Sequence, residues 1–203
     1  MNPYAVPLLP GKTYHLFNHA VGNELLFREN KNYLYFLEKL KKYAPPVCKI
    51  YAYILMPNHF HLAASIRKRE ELLPLYKGNG EPTDEELAAF VIQQFSNMFN
   101  SYAKSHNKIY ERRGALFIDY LRRKEVCHKA HLKNLISYVN CNGVHHRFCE
   151  TPQDWFFTSY HTILTQSTTL LERDDVLRLF SGLENFIKTH QTFNPSFDDD
   201  LEF

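Results

Sequence analysis

Cys48–Met56 and His59–Ile66 are two apolar runs, the first of them strongly β-forming, separated only by Pro57-Asn58. Two such runs joined by so short a turn predict an antiparallel hairpin. The first run is apolar on both faces, which predicts a central strand with cover above and below it. The rest of the chain must therefore supply further strands and two covering layers.

The flanking patterns do so. Thr13–Val21 reads as a strand, and Arg28–Tyr43 places Tyr33, Phe36, Leu37 and Leu40 at helical spacing until Pro45 and Pro46 stop it. Residues 67–82 turn polar and breaker-rich (Pro74, Gly78, Gly80, Pro82) and mark a connection. Thr83 with Glu86 three positions on is a capping box that opens a helix running to about Ser105. After Gly114, Leu116–Lys124 reads as a strand. Cys127–Asn140 is a helix with Leu132, Leu135, Ile136 and Val139 inside and Gly143 just past its end. The order β-α-β-β-α-β-α predicts an α+β fold, a ferredoxin-like split βαβ core whose antiparallel sheet is flanked by helices. We divide the chain into a domain over 1–160 and a small helical C-terminal extension over 161–203, with short helices at Asp174–Phe180 and Gly182–His190 and a frayed last dozen residues.

At 203 residues the chain buries a core without staples. No apolar stretch approaches the ~20 residues that span a bilayer, and the N-terminus lacks a signal-peptide pattern. The four cysteines show no CxxC spacing. A cytoplasmic protein with reduced thiols and no membrane partner is the expectation. The formal net charge of +2 is too small to name a polyanionic partner. Its distribution says more. Ser101–Lys124 holds Lys104, Lys108, Arg112, Arg113, Arg122, Arg123 and Lys124 against Glu111 and Asp119, offset by Asp198, Asp199, Asp200 and Glu202 in the tail. Tyr102, Tyr110, Phe117 and Tyr120 interleave with these cations, as a groove for single-stranded nucleic acid requires, although a solvated basic face over a filled core gives the same pattern.

The tripeptide His59-Phe60-His61 is the most informative here, although a pair of strand histidines is more often structural than metal-binding. On a strand, residues two apart share a face, so both imidazoles project together and make half of a divalent-metal site. Tyr138 lies on the last predicted helix, and Asn142 follows one turn later with an amide oxygen to offer. On spacing alone, the plainer reading is that Tyr138 packs on the sheet and Asn142 caps the helix. His15 and His19 fall on one face of the first strand, as structural or supporting residues or, alternatively, as assistants at a phosphate.

Several blocks together resemble a known family. Met56-Pro57-Asn58-His59-Phe60-His61-Leu62 resembles the MPNHxHL signature of single-tyrosine transposases, and Tyr14-His15-Leu16-Phe17-Asn18 resembles their first strand. Gly114-Ala115-Leu116-Phe117, Tyr138-Val139-Asn140-Cys141-Asn142-Gly143-Val144 and 152–160 (PQDWFFTSY) resemble three later blocks in the right order. The likeness is greatest to the REP-associated tyrosine transposases of the insertion-sequence-200-like group. It implies a metal-dependent enzyme that nicks and joins single-stranded or hairpin DNA through a 5′-phosphotyrosine. In that scheme Tyr138 is the nucleophile, His59, His61 and Asn142 hold Mg²⁺ or Mn²⁺, and the basic stretch binds DNA. Relatives work as monomers or as dimers, so a homodimer stays open. Gly143 stands where relatives carry proline, Asp119 where they carry a base, and His145-His146-Arg147 is either a phosphate contact or an exposed loop. The alternative is a module of the same fold that grips structured DNA or RNA without cutting. A metal hydrolase without nucleic acid would need an acidic group beside these blocks, and none adjoins them.

Overall fold

The structure, a computed structural model, describes residues 5–118 and 120–193. Asp119, the acidic tail and the frayed end predicted for it lie outside the described residues. The elements are β1 (Thr13–His19), α1 (Asn30–Tyr43), β2 (Cys48–Met56), β3 (His59–Ile66), α2 (Arg69–Leu72) with a 3-10 turn at Leu73–Leu75, α3 (Asp84–Ile109), β4 (Arg122–Glu125), α4 (Lys129–His145), α5 (Ser159–Leu164), α6 (Arg173–Leu179) and α7 (Leu183–Thr192). The four strands run antiparallel in the order β2-β3-β1-β4, the split βαβ arrangement that the sequence predicts. No helix among the described residues is long and apolar enough to cross a membrane.

Alternation in the strands sends Phe60 to one face of the sheet and His59 and His61 to the other. On the first face Phe60 packs against Phe36 of α1 (5.2 Å between ring centroids) and Phe99 of α3 (5.7 Å). Thr83 caps α3 as expected, its hydroxyl accepting from the Glu86 amide at 3.2 Å. The second face is covered by α4, whose first turn is closed by His128 Nδ1 accepting from the His131 amide.

Four expectations change. β2 is an edge strand, not a central one. Its apolar faces are explained by later chain: the Leu55 amide donates to the Phe157 carbonyl, the Tyr53 amide to Ser159 Oγ and the Glu172 amide to the Ile50 carbonyl, so its open edge is sealed. The segment from 161 is accordingly not separate. The 160/161 boundary falls inside α5, and Ile163, Val176, Phe180 and Phe186 are buried in the same core as the sheet. The fourth strand is shorter than predicted, because side chains tie down the segment before it: Asn107 donates to the Gly114 carbonyl, Arg112 to that of Ala115 and Asn18 to that of Ile118. Regular pairing starts only where Arg122 meets Phe17. Finally, α4 runs past Asn140 to His145, so Asn142 and Gly143 are helical. A Cβ on Gly143 would stand 3.1 Å from Cys149 Sγ and 3.4 Å from Trp155 Cβ, so this glycine lets the following chain close onto the helix.

Candidate active site

The register of β1 with β3 and β4 assembles one polar face. Phe17 is paired with both His61 and Arg122, His19 with His59, and His15 with Lys124. Directly opposed residues share a face, so His15, His19, His59, His61, Arg122 and Lys124 all project toward the side that α4 covers. The Tyr138 ring stands steeply to those of His61, with centroids 5.6 Å apart, and His15, 5.9 Å apart. Asn142, one turn further, places Oδ1 3.3 Å from His59 Nε2. Tyr138, His59, His61 and Asn142, named from sequence, are thus brought together from two elements 83 residues apart at the His59–Asn142 contact.

All four are buried, as is His15. Burial, with the neighbouring imidazoles adding to it, pushes His59 down to about 3 and His61 well below the usual histidine range. His15 is pushed down to about 3 by burial first and by Lys124 next. The rings are therefore neutral at pH 7, the form in which imidazole offers a lone pair. The Asn58 amide oxygen lies 2.8 Å from His59 Nδ1 and the Asn142 amide oxygen 3.3 Å from Nε2, so the single proton of the neutral ring serves only one of the two contacts. When Nδ1 holds that proton, the Nε2 lone pair faces the Asn142 oxygen, acceptor against acceptor. Asn142 Nδ2 meets no hydrogen-bond partner among the described residues. Such a meeting point invites a cation or a donor. Among the described residues no three His, Cys, Asp or Glu side chains group as a metal cluster, so what converges is two imidazoles and an amide.

The basic stretch is divided rather than gathered. Arg122 and Lys124 lie on the histidine face, half-buried. Lys104, Lys108 and Arg113 are exposed on α3 and the loop after it. Lys104 lines a cleft of about 590 Å³ with Ser96, Asn100, Asn107 and Phe117, on the opposite side of the sheet. Arg123 points to that side as well and is buried, its guanidinium donating to the carbonyls of Ala5, Val6 and Leu121. Arg112 is held by Glu24 at 2.9 Å and by Asn107 and Ala115. Both guanidiniums are thus engaged by the fold, and Arg123 also lines that cleft.

Two contributors fall outside the residues the sequence singled out as reacting groups. Asn58 fixes the His59 ring, and its place in the tight turn before the histidines is the signal for it. His146 stands 5.2 Å from His59, ring to ring, and nothing in its spacing indicates this before the helix is extended past Asn140.

No family model matches the chain, and neither does any curated protein. A solved structure described as a REP-associated tyrosine transposase bound to a REP hairpin is similar to it, with a TM-score of 0.55 and 13% identity, over 85% of this chain and 94% of that one. At that identity the likeness is one of fold.

Proposed function

We propose that this chain, built on the fold of a REP-associated tyrosine transposase, is a metal-dependent enzyme that nicks and rejoins single-stranded DNA beside a hairpin. The observation that carries the reading is the convergence of Tyr138 and Asn142, one turn apart on α4, on the His59–His61 face of the sheet. Tyr138 Oη attacks the phosphorus, the bond from phosphorus to the 3′ oxygen breaks, and the phenolic proton ends on that oxygen. The products are a 5′-phosphotyrosine and a free 3′ hydroxyl, and reversal rejoins the strand with no external energy source.

The donor set fits a divalent cation on the evidence of its chemistry: neutral imidazoles, and an amide oxygen aimed at a lone pair. His59, His61 and Asn142 would hold Mn²⁺ or Mg²⁺, the first better matched to imidazole, and the ion would polarise the phosphate. The three donors carry no charge, so a bound DNA phosphate would add negative charge beside the ion. Arg122 and Lys124 sit on the same face and would take flanking phosphates, while Lys104, Lys108 and Arg113 would hold duplex or loop on the far side.

The burial of Tyr138, 1% exposed, favours a second reading, a module that binds hairpins without cutting, since a phosphodiester reaches Oη only after the groups covering it move aside. One experiment separates the two. The protein is incubated with labelled hairpin oligonucleotides and Mn²⁺, denatured, and examined for labelled protein. The enzyme reading expects a band that Tyr138→Phe removes. A band that survives Tyr138→Phe moves the nucleophile elsewhere, and no band across many hairpins and divalent metals leaves the binding module.

A further inference from the structure

We propose that His15 is a positioning residue for His61, fixing by hydrogen bonding the ring tautomer in which His61 Nε2 carries a lone pair for the metal. This rests on the metal site proposed above. His15 Nε2 lies 2.8 Å from His61 Nδ1, both rings are fully buried, and they stack at 5.0 Å with planes 25° apart. The contact is diagonal across the β1/β3 ladder: directly opposite His15 is Ala63, whose small side chain leaves room for the imidazole to lean two positions along to His61.

The chemistry of that contact is binary. One proton lies between the two nitrogens, because two protons collide and two lone pairs repel. If His15 supplies it, neutral His61 must carry its own proton on Nε2 and cannot bind a metal there. When His61 Nδ1 supplies it, His61 Nε2 is a bare lone pair and the proton of His15 sits on Nδ1, an atom with no hydrogen-bond partner among the described residues. A cation bound at His61 selects the second arrangement, and His15 is the acceptor that stabilises it. Outer partners of this kind alter metal affinity 10- to 100-fold when removed.

The test measures metal, not cleavage. Mn²⁺ is titrated calorimetrically into wild type, His15→Phe and His15→Gln, each shown to be folded by circular dichroism and melting. We expect His15→Phe to bind roughly 10- to 100-fold more weakly and His15→Gln, whose amide oxygen reaches a similar place, to recover most of the loss. Equal binding by wild type and His15→Phe overturns the proposal while leaving the metal site intact. Absence of binding by wild type overturns the metal site itself, and this inference with it. Should His15→Phe fail to fold, the ¹⁵N shifts of the histidine rings in Mg²⁺-loaded wild type decide: a proton on His61 Nδ1 is the expected result, and a proton on His61 Nε2 overturns it.

Discussion

Asn140 and Asn142 stand two residues apart on α4, both buried, and their surroundings differ in one respect. Around Asn140 every group meets its complement. Its Nδ2 donates to His190 Nε2 at 3.1 Å, its Oδ1 accepts from Ser159 Oγ at 2.6 Å and Thr158 Oγ at 3.2 Å, and His190 Nδ1 donates to the Phe186 carbonyl at 2.7 Å. Around Asn142 the oxygen competes with that of Asn58 for the single proton of the neutral His59 ring, and the nitrogen has no partner among the described residues. Turning that amide over only exchanges which atom is left over. A complete buried network locks elements together, here α4, α5 and α7, whereas an incomplete one costs stability until something fills it. The first cluster holds the chain shut over the edge of β2, and the second is where chemistry can enter.

The contrast breaks most sharply on metal. In the His59→Ala, His61→Ala double variant, Mn²⁺ binding should fall below calorimetric detection, a loss beyond 100-fold, while the fold persists. Equal binding by this variant and wild type would remove any difference between the two clusters. Asn140→Ala should do the opposite, leaving Mn²⁺ affinity unchanged while stranding His190 and two hydroxyls. It should cost about 3 kcal/mol, read as a lower urea midpoint at constant slope.

Acid sharpens the comparison further. Burial depresses His190 to about 4, against an ordinary value of 6.5. Between those values the unfolded chain binds a proton that the folded protein refuses, so the contribution is intact above pH 6.5 and is lost as the pH falls toward 4. The loss approaches ~3 kcal/mol, and His190→Leu should remove that share of the pH dependence in denaturant titrations run from pH 7 to 4. The smallest effect concerns the divided basic stretch. Replacing Arg122 and Lys124 by alanine should flatten the dependence of log affinity on log salt for single-stranded DNA by about 1.4, at roughly 0.7 per phosphate contact, and Arg123→Ala should leave the slope unchanged. Parity between the two variants would place the DNA path elsewhere.

What the sequence made legible follows from how local each signal is. The limits of β2 and β3 and the start of α3 were readable because turn, alternation and capping box lie within a few residues of one another. The pairing of His59 with His61 and of Tyr138 with Asn142 was readable for the same reason, as periods of two and four. The edge position of β2, the fate of Arg123 and the helical state of Gly143 each depend on chain more than five residues away: the 157–172 segment, the carbonyls of Ala5 and Val6, and the approach of Cys149 and Trp155. His15 shows both cases, since its face was readable from alternation, but its partner follows from the register of β1 against β3.

The separation of 83 positions from His59 to Asn142 also sets a clock. A ribosome adding 5 to 20 residues per second makes the histidine strand roughly 4 to 17 s before the helix that completes the site. During that interval a nascent hairpin can already close, because its turn is short, yet it lacks Tyr138 and Asn142. The four side chains therefore meet late, with the last long helix, and a chain released before residue 138 would lack half of them.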